Sequence, residues 1–348
     1  MCFMFQASCS KIVMEIPDIF HNYLKIGVSR RASDIHLIAG QPPAAKIEGE
    51  LERLAHEDID PQNLAEFVFG MIPTDEIRER VAQGKEADII YSYGGNRFRT
   101  NIHLQQGMFA LSIRIISSVI PTPQFLGFHP TIYKFSQLKK GLVLLTGSTA
   151  SGKSSVIASV INMINQEKKA HIITIEDPIE FVYPKKLSVV EQRQIGLDSP
   201  SFYDALRAAF RQDPDVIMVG EMRDQETIAT ALTAAETGHL VFGTIHSAST
   251  VEAVERIVNI FPPNQIQQIL NQLSNILVAA VSRELLPKKG GGERVAAWEV
   301  MVNTSATSNL IRENHLANIV SVMQTGAKDG MITMDQSKQE LRTKGLII

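Results

Sequence analysis

One short segment constrains what this chain can fold into more than any other. Residues 147–154 read Gly-Ser-Thr-Ala-Ser-Gly-Lys-Ser, after an apolar run at 142–146 and before a segment of helical character at 155–167. A strand, a glycine-rich loop and a helix in this order are the context that a phosphate-binding P-loop requires. An ordinary glycine turn is the alternative, but the full pattern with both flanks seldom arises by chance.

The chemistry expected of this loop follows from its backbone. The N–H groups of the loop and of the first helical turn point into one concavity, where a phosphate chain accepts hydrogen bonds at the positive end of the helix. Lys153 is expected to reach the β and γ phosphates of a nucleoside triphosphate. Ser154 is expected to place its hydroxyl on the Mg²⁺ ion that accompanies the nucleotide.

Composition narrows the class of protein. The 348 residues are 44% hydrophobic and 20% charged, a normal globular mixture that is long enough for two domains. A formal net charge of −3 argues against nucleic acid as the main partner, so no DNA binding is expected. No apolar stretch reaches about 18 residues and the N-terminus lacks a basic secretory region, which predicts a cytoplasmic protein. Residues 1–13 are interpreted as a poorly ordered extension, with Cys2 and Cys9 as free thiols.

The pattern along residues 14–117 predicts a small domain with an antiparallel sheet. A helix is expected at 17–28 and helical structure between 61 and 82. Short alternating segments predict strands at 34–38, 44–48, 87–91, 97–104 and 108–116. Three prolines and one glycine then interrupt any periodicity, so residues 118–130 are interpreted as a linker.

Residues 131–348 are interpreted as a second, larger domain. After a short helix at 131–139, the chain alternates between strands and helices, which predicts a mostly parallel sheet covered by helices. Strands are expected at 142–146, 171–175, 216–220, 240–245 and 296–302, and helices at 202–211, 225–237, 251–259 and 263–280, with a few short helices after residue 305.

Two acidic segments follow predicted strands, and a ligand of an open parallel sheet lies outside the carboxyl ends of its strands. Residues 175–180 read Ile-Glu-Asp-Pro-Ile-Glu, and one of these carboxylates is expected to hold and deprotonate an attacking water. A solvated acidic turn is the alternative. Glu221 follows the strand at 216–219 after one glycine, an arrangement of the Walker B type that brings a carboxylate to the Mg²⁺ shell, through water.

Two histidines border the predicted strand at 240–245. At about 3.3 Å per residue, His239 and His246 would stand roughly 23 Å apart, so they cannot both contact one γ-phosphate within one subunit. His246, at the carboxyl end, is interpreted as a phosphate sensor, and His239 either serves another subunit or organises the turn. Two purely structural histidines are the alternative. A zinc site is not expected, because a third close ligand is missing.

Four arginines are candidates for supplying positive charge to a phosphoryl-transfer transition state. Arg99 and Arg114 lie on adjacent predicted strands of the first domain, whereas Arg207 and Arg211 are expected to share one helix face at i, i+4 spacing. By sequence alone, each is most often a solvated surface charge.

These segments together resemble the secretion ATPase superfamily and, within it, the type IV pilus retraction ATPases of the PilT family. The resemblance runs from about residue 14 to the C-terminus. It rests on the P-loop, on the histidine segment and on four further motifs, at 31–37 (Arg-Ala-Ser-Asp-Ile-His-Leu), 96–101 (Asn-Arg-Phe-Arg-Thr-Asn), 174–181 and 213–224. The family implies a PAS-like α+β first domain at 14–117 and a RecA-like ATPase domain at 131–348.

The resemblance also implies a role for each candidate residue. Glu180 aligns with the catalytic carboxylate of the family's Asp box, Glu221 with the Walker B glutamate, and His239 and His246 with the His box. Arg99 and Arg114 match arginines that close onto nucleotide from the first domain, and Arg207 and Arg211 match a second pair. The nucleotide-binding loop then comprises Ser148, Thr149, Ala150, Ser151, Gly152, Lys153, Ser154 and Ser155.

Segments that the sequence lacks, and positions where it differs from the family's motifs, bear on which function within the superfamily is expected. Pilus extension and type II secretion ATPases usually add a four-cysteine zinc insert and a longer N-terminal region, which this sequence lacks, so retraction is favoured over assembly. Ala150 and Ser155 replace a glycine and a threonine of the family's loop. Near the C-terminus, Thr307 and Ser308 stand where retraction enzymes carry Ile-Arg, in a segment that is linked to retraction rather than to hydrolysis.

The function implied is a homohexameric ATPase motor for pilus retraction and twitching motility that uses ATP and Mg²⁺. The family places it at the cytoplasmic face of the inner membrane, attached peripherally through partners, namely an inner-membrane platform protein and the pilus machinery. Three alternatives remain: an ATPase of a Dot/Icm-like type IV secretion system, a pilus assembly ATPase, and a non-hydrolysing nucleotide-binding switch or scaffold. A DNA translocase is disfavoured by the acidic balance.

Overall fold

The computed structural model describes residues 18–47, 49–116, 119–148, 151–291 and 294–348. The chain divides into two compact units, with the boundary between Ser118 and Val119. The predicted extension at residues 1–13 lies outside the described residues, as do Thr149 and Ala150 of the P-loop. Along the described parts of the chain, no helix combines the length and the apolar character needed to cross a membrane.

The described residues of the first unit form one six-stranded sheet and three helices. Its strands are β1 (Asp34–Ile38), β2 (Ala44–Ile47), β3 (Glu50–Arg53), β4 (Ala87–Tyr93), β5 (Asn96–Gln105) and β6 (Met108–Ile116), and its helices are α1 (Asp18–Ser29), α2 (Pro61–Met71) and α3 (Asp75–Ala82). All neighbouring strands are antiparallel, in the order β3-β2-β1-β6-β5-β4.

The core of the first unit lies between this sheet and the helices α1 and α2. Phe20 of α1 stacks on Phe67 of α2, with ring centroids 4.8 Å apart. Both rings belong to one apolar cluster with Leu24, Ile35 and Leu37, none of which is exposed to solvent. The inward residues of β1 therefore alternate with half-buried ones, as the sequence pattern indicated.

The structure differs from the sequence-based expectation at two places in this unit. The helical region between 61 and 82 is two helices, because Pro73 interrupts it and the Thr74 side chain accepts a hydrogen bond from the Ile77 N–H at 3.4 Å to begin α3. Strand β3 was missed, since its mostly exposed residues give no alternating apolar pattern. Glu48, the last residue of a predicted strand, lies outside the described residues.

The second unit contains a seven-stranded sheet. Its strands are β7 (Gly141–Thr146), β8 (His171–Glu176), β9 (Val189–Gln194), β10 (Val216–Val219), β11 (Leu240–Ile245), β12 (Leu277–Pro287) and β13 (Arg294–Val302). The order is β13-β12-β7-β11-β10-β8-β9, in which all neighbours are parallel except the edge pair β12 and β13. The mostly parallel sheet predicted from the alternating pattern is confirmed.

Helices cover both faces of this sheet. They are α4 (Pro123–Leu126), α5 (Pro130–Tyr133), α6 (Lys153–Glu167), α7 (Phe202–Ala209), α8 (Gln225–Glu236), α9 (Thr250–Asn259), α10 (Ile266–Ile276), α11 (Ser305–Arg312), α12 (Ile319–Thr325) and α13 (Met334–Thr343). Short 3-10 turns lie at Lys134–Gln137, Leu316–Asn318 and Gly326–Asp329.

Strand β7 shows how the sequence builds two cores. Its side chains are all buried. Leu142 and Leu144 join one apolar cluster, whereas Val143 and Leu145 join the other, because successive side chains of a strand point to opposite faces. A strand buried on both faces reads as a continuous apolar run, which is why the sequence identified it readily.

Two predicted helices of the second unit end earlier than expected, and two strands, β9 and β12, were missed. The helix expected at 263–280 ends at Ile276, and β12 begins at Leu277. The prediction extended the helix too far because the apolar run at 277–281 suits a buried helix and a buried strand equally well. The polar strand β9 was missed. The helix expected at 202–211 ends at Ala209, so Arg211 lies beyond α7.

Candidate active site

The P-loop joins β7 to α6. The φ angles of Gly147 (+136°) and Gly152 (+83°) are positive, a backbone conformation that favours glycine. Gly152 precedes α6, whose first turn contains Lys153, Ser154 and Ser155. The N–H groups at this helix end are suited to donate hydrogen bonds to a phosphate, as the sequence indicated.

Lys153 is held beneath the loop. Its ammonium donates hydrogen bonds to the carbonyl oxygens of Gly147 at 2.6 Å and Ser148 at 2.9 Å, and the residue is only 9% exposed. Burial lowers the pKa of Lys153, whereas Glu221 and Glu180 act in the opposite direction. The lysine is therefore a partly desolvated cation in the field of two acidic groups.

The acidic segment after β8 separates into a buried and an exposed carboxylate. Glu176 is buried, and its Oε1 accepts hydrogen bonds from Thr174 Oγ1 at 2.7 Å and Gln192 Nε2 at 3.1 Å. Burial raises the pKa of Glu176. Glu180 is exposed and accepts a hydrogen bond from Ser154 Oγ at 2.9 Å. Glu180 therefore has the access to solvent that a general base needs, and it adjoins the P-loop helix.

Glu221 follows β10, and its carboxylate contacts one histidine and one arginine. Its Oε1 lies 3.3 Å from His246 Nε2 and pairs with Arg223 Nε. Burial, together with the charges of Lys153 and two arginines, lowers the pKa of His246 although Glu221 opposes this effect. The imidazole at the end of β11 is therefore neutral at pH 7, with one ring N–H to donate.

Gly220 sets the position of Glu221. A Cβ atom at Gly220 would stand 2.9 Å from the Ile175 carbonyl oxygen and 3.3 Å from Glu176 Cα, and these backbone atoms belong to the adjacent strand β8. The Gly220 N–H also donates to that Ile175 oxygen at 2.7 Å. The glycine thus lets two strands approach closely where the acidic side chains emerge.

We expect Gly220→Ala to destabilise the protein by about 1–3 kcal/mol, because overpacking against backbone cannot be relieved by a side-chain rotation. Urea unfolding of the purified chain measures the change. Hydrolysis should fall in the same variant, since Glu221 is displaced with its strand. An unchanged unfolding midpoint would show that the two strands separate at little cost.

A small cavity connects these groups. It has a volume of about 60 Å³ and is bordered by Ser154, Glu180, Gly220, Glu221 and Thr244. A volume of this size holds water, and its lining offers several polar partners. The structure therefore brings Ser154, Glu180 and Glu221 around one small polar space beside the P-loop helix.

His239 does not belong to this group. It precedes β11, whereas His246 follows it, so the two histidines lie at opposite ends of the strand. The His239 Nδ1 atom is 3.0 Å from the Ala234 carbonyl oxygen and 3.2 Å from Thr237 Oγ1, and the ring packs edge-on against Phe210. Within this subunit, His239 is part of the turn between α8 and β11.

The four candidate arginines are all exposed. Arg207 lies on α7, and the predicted helix face that it would share with Arg211 is absent because α7 ends before Arg211. In the first unit, Arg99 on β5 lies directly opposite Arg114 on β6 in the sheet register. Arg114 forms an ion pair with Asp34 at 2.9 Å.

Three arginines near the loop and the strand ends were missed by the sequence analysis. Arg223 pairs with Glu221 and lies within the 213–224 motif, which could have indicated it. Arg256 on α9 donates to the His246 carbonyl oxygen at 2.6 Å, and no sequence signal marks it. Arg283 on β12 donates to the Ser151 carbonyl oxygen at 3.2 Å, and it was missed together with its strand.

Known proteins resemble this chain over most of its length. A family model described as "Type II/IV secretion system protein" matches residues 15–344. The type IV pilus retraction ATPase PilT of Pseudomonas aeruginosa is 41% identical over 325 residues, which is 93% of this chain and 94% of that protein. A twitching motility protein of Neisseria gonorrhoeae is 42% identical over 311 residues, 89% of this chain and 83% of that protein.

A solved structure resembles the fold as a whole. The crystal structure of the pilus retraction motor PilT with bound ADP superposes with a TM-score of 0.88 at 45% identity, and the match covers 93% of each chain. The resemblance stated from the sequence motifs is confirmed. This chain therefore belongs to the PilT family, within the family of type II/IV secretion system proteins.

Proposed function

We propose that this chain is the subunit of a homohexameric, Mg²⁺-dependent ATPase that powers type IV pilus retraction. The observation that carries the proposal is the grouping of Lys153, Ser154, Glu180, Glu221 and His246 at the carboxyl end of one parallel sheet. Membership of the PilT family supports the kind of work, because relatives named for pilus retraction and twitching motility align over most of the chain.

The oxygen-rich donor set fits ATP with Mg²⁺. Among the described residues, no group of three or more His, Cys, Asp and Glu side chains could hold a metal ion. The Ser154 hydroxyl and the Glu221 carboxylate border one cavity, and Mg²⁺ typically binds through one or two such protein oxygens together with substrate phosphates. Ser154 would hold the ion directly and Glu221 through water. When bound, the ion neutralises charge on the β and γ phosphate oxygens.

Each side chain has a separate task in the proposed hydrolysis. Lys153 transfers its hydrogen bonds from the loop carbonyls to the β and γ phosphates. Glu180 holds the attacking water at the border of the cavity and accepts its proton. His246 donates a hydrogen bond to the γ-phosphate that is lost after hydrolysis. Glu221 orients the water ligands of the ion, and the single N–H of neutral His246, which faces Glu221 in this structure, turns to the phosphate when the nucleotide binds.

We also propose the domain roles that the family implies. Residues 14–117 form a PAS-like domain, 118–130 a linker and 131–348 a RecA-like ATPase domain. Nucleotide binding and release swing the first domain against the second, and hydrolysis resets each subunit. Arg99 and Arg114 close onto the nucleotide, and a second pair, Arg207 and Arg211, adds positive charge.

The partners follow from the same proposal. The hexamer acts at the cytoplasmic face of the inner membrane, on a pilus platform protein, and no DNA is involved.

The departures from the family's C-terminal segment lie on α11. Thr307 Oγ1 donates to the Val302 carbonyl oxygen at 3.3 Å, and Ser308 Oγ donates to that of Ser274 at 2.7 Å. Both residues therefore have local structural partners.

The test is Mg²⁺-dependent ATP hydrolysis by the purified full chain, with and without DNA, with the oligomeric state measured by light scattering. We expect a hydrolysing hexamer that is indifferent to DNA and that restores twitching to a retraction-deficient host. Nucleotide binding without turnover in a stable hexamer would exclude the motor and favour a switch or scaffold. Stimulation by DNA would favour a translocase.

His239→Ala separates the two proposals for this histidine. If His239 organises the turn, the variant loses the contacts to Ala234 and Thr237 and unfolds at a lower temperature, while nucleotide affinity and the specific activity of the folded hexamer stay unchanged. We expect this result. A loss of hexamer turnover with an unchanged melting temperature would instead assign His239 to the active site of a neighbouring subunit.

A further inference from the structure

A buried arginine lies against the P-loop and has no part in the proposed function. Arg283 is 8% exposed and lies on β12, the parallel neighbour of the P-loop strand β7. Its guanidinium carbon stands 5.2 Å from the ring centroid of Trp298. Arginine is rarely this buried unless a carboxylate pairs with it.

Arg283 contacts both ends of the loop. Its Nη1 atom donates to the Ser151 carbonyl oxygen at 3.2 Å and occupies the space where a side chain at Gly152 would stand. Its own carbonyl oxygen lies 2.8 Å from the position that a Cβ at Gly147 would take. The two glycines therefore give room to Arg283 as well as allowing the loop's positive φ angles.

None of the described carboxylates neutralises the charge of Arg283. Within the part of the chain that the structure describes, no carboxylate pairs with this guanidinium, and its Nε atom has no hydrogen-bond partner. Burial lowers the pKa of Arg283 to about 10, so the group remains charged at pH 7. A buried, unpaired cation destabilises a folded protein. The same cation beside a phosphate-binding loop attracts an anion.

We propose that Arg283 is a positioning residue of the P-loop, which fixes the Ser151 carbonyl and adds a positive charge next to the phosphate concavity at the expense of stability. The inference rests on the proposed binding of nucleotide. Arg283 belongs neither to the glycine-lysine-serine motif nor to the arginines of the first domain.

Two variants test this proposal in the full-length hexamer. Arg283→Met keeps an unbranched apolar stem but removes the guanidinium with its donors and its charge, whereas Arg283→Lys keeps the charge. The dissociation constant of a fluorescent ADP analogue with Mg²⁺ and the melting temperature without nucleotide are measured for each. We expect R283M to bind roughly tenfold more weakly, the usual value of a charge-assisted hydrogen bond, with an equal or higher melting temperature. R283K should bind within a few-fold of wild type.

Two results for R283M would overturn the proposal. Unchanged affinity would show that the charge has no influence on the loop. A joint fall in affinity and melting temperature would show an ordinary structural arginine. Failure of the wild-type chain to bind the ADP analogue would be a different outcome, because it contradicts the proposed function itself before any variant is compared.

Discussion

Glu180→Gln is expected to reduce ATP hydrolysis by about 10²–10⁴-fold, the usual contribution of a general base, while the nucleotide still binds. Glutamine keeps an oxygen that can accept the hydrogen bond from Ser154, which the structure shows at 2.9 Å. The site should therefore keep its geometry and lose only the ability to take a proton. Steady-state hydrolysis and the dissociation constant of MgATP measure the two quantities separately.

Asp177→Asn is the matched comparison, because Asp177 is the other exposed carboxylate of the same segment. We expect it to retain most of the activity. A large loss in D177N with normal turnover in E180Q would assign the base to Asp177 instead. The buried Glu176 is a poor choice for this comparison, since its hydrogen bonds to Thr174 and Gln192 make it part of the structure.

Lys153→Met is the second substitution that is expected to reduce ATP hydrolysis strongly. The variant loses a charged donor to the phosphates, so we expect turnover to fall by about 10²–10³-fold, as for the loss of one preorganised donor to a developing anion. Affinity for ATP should also fall, by about tenfold or more. Methionine keeps the unbranched shape of a residue that is already 9% exposed, so the fold should be retained.

Lys168→Met provides the control at the other end of the same helix. Lys168 follows α6, is half-buried, and donates to the Leu138 carbonyl oxygen at 2.8 Å. Burial lowers the pKa of this lysine as well. Normal turnover in K168M beside a loss in K153M attributes the effect to the P-loop position. Wild-type affinity and turnover in K153M would contradict the P-loop assignment.

The sequence predicted that these side chains lie close together because strand ends in a parallel sheet share one edge. Glu180, Glu221 and His246 each follow a strand or its adjoining loop, so the order of the chain sufficed to place them near Lys153. The residue pattern alone did not distinguish Glu176 from Glu180, whereas the family resemblance pointed to Glu180. That distinction depends on burial by Gln192, a residue of β9, and β9 carries too little apolar pattern to be recognised.

Arg283 shows a second limit of the sequence. The residues before it form an apolar run that was assigned to a helix, and a helix would not have placed Arg283 beside the loop. The contact exists only because β12 adds to the sheet next to β7. Register between strands that are far apart in the chain is a property of packing, and single-residue patterns carry little information about it.

The sheet of the first unit has a consequence for ion competition. Arg99, Arg114 and Asp34 lie side by side on three neighbouring strands. Although burial opposes the effect, hydrogen bonds from Ser33 and Arg114 lower the pKa of Asp34, so this carboxylate is an internal counterion. An external anion that engages Arg114 meets this carboxylate beside it, while Arg99 has no such competitor on the described strands. Arg99 is therefore the more accessible cation of the two, whereas Asp34 partly neutralises Arg114. Raising the ionic strength weakens the Arg114–Asp34 ion pair as well as the attraction of either arginine for an anion.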